Sequence, residues 1–72
     1  MKVWNIVKYA IKQKGFKYTQ VSNRLHKSKN YMTACFAMNR SPSVETLETI
    51  LHAVGWHLEA VNDETGERIT IE

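Results

Sequence analysis

The sequence predicts a mainly α fold, four helices followed by a C-terminal β-hairpin, and three observations predict it. Apolar residues recur at helical spacing in four stretches, which are separated by Gly15, by His26-Lys27-Ser28 and by Arg40-Ser41-Pro42. After Gly55 the period changes to alternation. The chain has 72 residues, 43% of them hydrophobic and 24% charged, which suits one ordinary globular domain near the lower size limit for a core of its own. The expected organisation is a single domain over residues 1–72, with a helical core at 1–55 and the hairpin at 56–72.

Val3, Val7, Ala10 and Ile11, with Trp4 alongside, predict helix 1 over residues 2–14, stopped at Gly15. Val21 and Leu25, then Met32, Cys35 and Phe36, predict two short helices joined by a tight turn. Thr19 is placed to start the first of them, and Ser28 to cap the second with its hydroxyl. Ser43 is the expected cap of helix 4, whose stripe of Leu47, Ile50, Leu51 and Val54 ends at Gly55. Trp56, Leu58 and Ala60 alternate with His57, Glu59 and Val61, and Ile69 and Ile71 alternate with Arg68 and Thr70. These runs predict strands over 56–61 and 67–72, with Gly66 in the turn between them. A lone hairpin is marginal, so it lies on the helices, pairs with another chain, or does both.

The net charge of +3 conceals a partition. Residues 1–44 hold nine cations and no acid; from Glu45 onward there are seven acids and only Arg68, so the two parts carry +9 and −6. Such segregation is explained by a polyanion facing the first part, although attraction to phosphate by itself carries no sequence information. The lone Cys35 cannot form an internal disulfide, which points to a reducing cytoplasm. Lys2, Asn5 and Lys8 interrupt the first apolar positions, so neither a signal peptide nor a membrane span is expected.

Several residues fall at joint separations that resemble the helix-turn-helix domain of phage Cro and repressor proteins. They are Gly15-Phe16, Val21-Ser22, Leu25, Ser28, Met32, Cys35, Pro42-Ser43 and Leu47-Ile50-Leu51-Val54, and the resemblance spans residues 6–61. It implies a four-helix, repressor-like helix-turn-helix domain whose third helix enters the major groove of duplex DNA. The chain departs from the family where its turn glycine is replaced by His26 and the following apolar residue by Lys27. Where the family pairs an Arg with a Glu, this chain has Ile11 and Phe36, so an ion pair becomes an expected apolar contact.

By resemblance, Lys29, Asn30 and Ala34 lie where base edges are read, flanked by Tyr31 and Thr33. Lys29 can donate to guanine, Asn30 can pair with adenine, and Ala34 offers a methyl contact. Backbone contacts are expected from Lys17, Tyr18 and Thr19, from Lys27 at the turn, and from Asn39, Arg40 and Ser41. Lys8 and Lys12 are expected to add only long-range field. Met32, Cys35, Phe36 and Met38 read as core rather than as a ligand box.

The histidines lack metal-ligand spacing, and no nucleophile with a base or phosphate-binding loop is present, so neither an enzyme nor a metal or other cofactor is expected. RNA or single strands would need an aromatic platform that the sequence does not offer. A recognition helix reads only a few base pairs, so the resemblance implies a homodimer on a palindromic operator. Trp56, Leu58, Ile69 and Ile71 are the expected dimer surface, with the pairing strand left open. The expected function is therefore a sequence-specific transcriptional regulator. The alternative rests on residues 51–61, which are also similar to the C-terminal part of helix-turn-helix antitoxins, whose partner is a toxin protein.

Overall fold

The computed structural model describes residues 2–71. In chain order it contains α1 (Val3–Lys14), α2 (Tyr18–Arg24), α3 (Tyr31–Met38), α4 (Val44–Ala53), β1 (Leu58–Val61) and β2 (Arg68–Ile71). Four helices and an antiparallel hairpin are thus present in the expected order. The strands are shorter than expected, because residues 56 and 57 precede the pairing and Glu67 belongs to the turn. The expected end of the second strand at Glu72 lies outside the described residues. Among the described residues no helix is long and apolar enough to cross a membrane.

The helices pack around a core to which each contributes one stripe. Trp4, Val7, Ala10 and Ile11 come from α1, Val21 from α2, Met32 from α3, and Ile50 and Leu51 from α4, with Val54 at its end. Phe16, Leu25, Tyr31, Cys35, Phe36, Leu47 and Leu58 pack against them at the edge. Ile11 and Phe36 therefore share one cluster, although the rings closest around Phe36 are those of Trp4 and Tyr18. Met38, read from the sequence as core, is instead 60% exposed, because α3 ends there and Asn39 turns the chain away with φ 51°.

Two helix ends follow the sequence closely. The Ser43 hydroxyl accepts from the Thr46 N–H at 3.1 Å, which caps α4. At its other end Gly55, with φ 84°, donates its N–H to the His52 carbonyl, and Trp56 donates to Leu51. This double bond pattern needs a left-handed residue. The same pattern closes α2, where His26 donates to Asn23 and Lys27 donates to Ser22. There the left-handed position is taken by His26, with φ 59°.

The start of α3 differs from expectation, and tertiary packing explains why. Ser28 does not cap the helix; Asn30 occupies the N-cap position without a side-chain bond. The orphan N–H of Met32 is met instead by the hydroxyl of Ser22, at 3.1 Å, from the neighbouring helix. Ser22 is fully buried and also donates to the Tyr18 carbonyl at 3.0 Å, so one hydroxyl joins the two helices. The start of α2 is also shifted. The helix begins at Tyr18 rather than Thr19, and the Gln20 side chain accepts from the Lys17 N–H at 2.7 Å.

Candidate nucleic-acid interface

The exposed face of α3 and the turn before it carry most of the residues singled out for base contact. Met32 is buried and Cys35 and Phe36 are half-buried, so helical periodicity turns Thr33, Ala34 and Ala37 outward. Lys29 and Asn30 are exposed in the turn just before the helix, not within it as expected, because the Tyr31 N–H closes that turn on the Ser28 carbonyl. Tyr31 behaves differently from its neighbours. It is half-buried against the core, with the Lys27 ammonium 5.6 Å from its ring centre. Burial pushes its phenol pKa up, and the adjacent Cys35 adds to the rise. It lines a groove with Leu25, Lys27 and residues of α4, a groove that Thr33 and Ala34 do not line.

Two of the three places expected to touch the DNA backbone meet at one aromatic centre, while the third, Lys27, is exposed beside Tyr31. Tyr18, at the start of α2, packs edge-on against Phe36 with ring centres 4.8 Å apart. Trp4 packs edge-on against the same ring at 5.6 Å and donates its indole N–H to the Arg40 carbonyl. Phe36 therefore ties Lys17, Tyr18 and Thr19 on one side to Asn39, Arg40 and Ser41 on the other. The side chains of Lys17, Thr19, Asn39, Arg40 and Ser41 are exposed, and Tyr18 is 38% exposed. Lys2 lines a groove with Trp4, Asn39 and Ser41, which adds a cation that sequence reasoning had not placed among the backbone contacts. No local signal could have placed it, because the groove joins residues nearly forty positions apart.

The structure also divides the cations by their surroundings. Lys8 lies 5.0 Å above the Phe36 ring, Lys14 is 5.9 Å from Phe16, and the Arg24 guanidinium lies 4.7 Å from Phe16. Arg24 also donates to the Ala53 carbonyl at 3.1 Å, at the C-terminal end of α4, where a cation complements the helix dipole. These groups have partners within the protein. Lys17, Lys29 and Arg40 make no ion pair among the described residues, so their charge faces solvent.

The hairpin is built on different terms. Its register pairs Leu58 with Ile71 and Ala60 with Ile69, which puts all four side chains on one face. Leu58 packs on the core, and Ile71 lines a groove with Val44, Glu45, Glu48 and Thr49 of α4. Beyond them the face is uncovered: Ile69 is 62% exposed. Trp56, before β1, is 43% exposed and meets Tyr9 of α1 edge-on at 6.3 Å. The opposite face carries an exposed Val61 beside its polar groups, with Glu59 accepting from His57 at 2.9 Å and lying 3.6 Å from Arg68. The His57 hydrogen bond lowers the Glu59 carboxyl pKa against the opposing effect of desolvation, with further help from the charges of Arg68 and His57. Of the expected dimer residues, Trp56 and Ile69 are therefore open, whereas Leu58 and Ile71 are largely engaged with the helices.

The turn is held by the Asn62 side chain, which accepts from the Glu64 N–H at 2.9 Å and from the Thr65 N–H at 3.3 Å. Among the described residues, no group of three or more His, Cys, Asp or Glu side chains is placed to hold a metal ion. Comparison of the chain with family models, with curated proteins and with solved structures gives no match.

Proposed function

We propose that this chain is a sequence-specific duplex-DNA-binding transcriptional regulator of the cytoplasm. It inserts the start of α3 into the major groove and binds a palindromic operator as a homodimer. The observation that carries the reading is that Lys29, Asn30, Thr33 and Ala34 are exposed, as are the cations Lys17 and Arg40 on either side of them along the chain, all within its acid-free part. Phosphate contacts from the flanks set register and orientation, and groups on the central face read base edges. Lys29 and Asn30 have the donor chemistry to choose a site, while Tyr31 supports the helix from the side of the core. Glu45 and Glu48 lie in α4, and Glu59, Asp63, Glu64 and Glu67 in the hairpin and its turn, outside both flanks.

Selection of bound sequences from a random duplex pool tests this reading. Enrichment of a motif with two inverted half-sites is the expected result. Failure to enrich any motif removes the claim of sequence specificity, and a log-log slope of affinity against salt near zero removes phosphate neutralisation, since each neutralised phosphate contributes about 0.9 to that slope.

The uncovered apolar face of the hairpin favours keeping one further reading, an antitoxin that binds its toxin through this surface and regulates its own operon. Exposed Ile69 and Trp56 suit either a second copy or such a partner. Light scattering on the purified chain separates the two. A stable homodimer with tight operator binding supports the regulator, whereas a monomer that co-purifies with a small basic protein supports the antitoxin.

A further inference from the structure

We infer that Trp4 is a positioning residue for Arg40: its indole N–H holds the segment between α3 and α4 in the conformation that presents the Arg40 guanidinium to a DNA phosphate. The inference rests on the DNA-binding reading. Among the described residues, the bond from the Trp4 indole to the Arg40 carbonyl is the one hydrogen bond made by Arg40 or Ser41. The donor is itself fixed, because the Trp4 ring is only 8% exposed and packs edge-on against Phe36. The acceptor segment is held at both ends, by the left-handed Asn39 at the close of α3 and by the Ser43 cap of α4. Its centre depends on the indole.

The consequence is one of ordering. A charged side chain on an unanchored backbone must lose conformational freedom when it meets a phosphate, and that loss subtracts from affinity. Trp4 removes this cost before DNA arrives, because the Arg40 carbonyl is already fixed against α1; without the indole bond the cost exceeds what one phosphate contact returns, and the contact is not made. A tryptophan that only filled core volume would affect stability and leave the number of phosphate contacts unchanged. The two roles therefore differ in the salt dependence of binding.

The test measures affinity for a short duplex of mixed sequence against salt, for the wild-type chain, W4F, R40A and the W4F/R40A double variant. A synthetic chain in which Trp4 is replaced by benzothienylalanine is added; sulfur takes the place of the N–H, so shape is kept and the donor is lost. The expected result is that R40A lowers the log-log slope by about 0.9, one phosphate, and that W4F and the sulfur analogue lower it nearly as far. The double variant should be no shallower than R40A, because the two residues act through one contact. A wild-type slope retained by the sulfur analogue overturns the inference, and this chain decides the matter if W4F fails to fold. A wild-type slope retained by R40A overturns it as well, while leaving the DNA reading intact. A slope near zero in the wild-type chain removes the DNA reading and this inference with it.

Discussion

The helical body and the hairpin use their apolar residues in opposite ways. In the body, Val7, Ala10, Val21 and Met32 lose all of their exposure, and a serine is admitted to the core only because its hydroxyl has two partners. In the hairpin no described residue is fully buried, and the apolar face that Leu58 and Ile71 anchor continues outward to an exposed Ile69. The contrast teaches that burial in this small chain is concentrated in the helical body, while the hairpin leaves part of its apolar face open to solvent.

The largest expected effects break or sustain that contrast. Truncation of Ile11 to Ala removes a side chain that is 1% exposed and should cost about 2–5 kcal/mol in urea unfolding. Changing Ile69 to Ser should alter the unfolding of the monomer by no more than about 0.5 kcal/mol, while lowering any self-association seen by light scattering. Equal costs at the two sites would show the hairpin face to be covered.

A second test bears on how the body tolerates its buried hydroxyl. Ser22→Ala leaves the Met32 N–H buried without its partner, at a cost of about 1–3 kcal/mol by the same unfolding measurement. Ser28→Ala should be nearly silent, because Ser28 does not cap α3. The reverse order of costs would return the cap to Ser28.

A smaller effect of opposite sign is expected at the turn between α2 and α3. His26 holds a left-handed conformation that glycine adopts without strain, so His26→Gly should raise stability by about 0.5–1 kcal/mol. A loss on that substitution would mean that the imidazole makes a contribution beyond its backbone conformation.

The smallest effect concerns the polar face of the hairpin. The Glu59 carboxyl has a folded-state pKa below its ordinary value of 4.5. Its contribution is therefore present above the unfolded-state value and is lost as the pH falls through the lowered folded value. Acidification should loosen the His57-Glu59-Arg68 contacts before the body unfolds, seen as changes in hairpin amide NMR signals ahead of those from α1 to α4. Simultaneous loss of both sets would join the hairpin to the cooperative core.

Much of the fold was legible because its determinants are local. The stripe of α1, the stripe and Ser43 cap of α4, and the change to alternation after Gly55 each depend on residues within a few positions of one another. The exposed outer face of α3 at Thr33 and Ala34 was legible for the same reason. The half-buried Tyr31, the exposed Met38 and the engagement of Lys8 with Phe36 were not, because each depends on which neighbour lies across a helix or beyond its end.

By itself, the sequence determined the element order, most helix boundaries and the charge partition, since side-chain period, capping hydroxyls and ionisable groups act through neighbouring positions. Only the tertiary structure decided that Ser22 rather than Ser28 completes the start of α3, that Trp4 anchors the Arg40 segment, and that the hairpin face runs on uncovered. The indole of Trp4 and the Arg40 carbonyl stand 36 positions apart, and only the packing of α1 beside the end of α3 brings the donor to its acceptor.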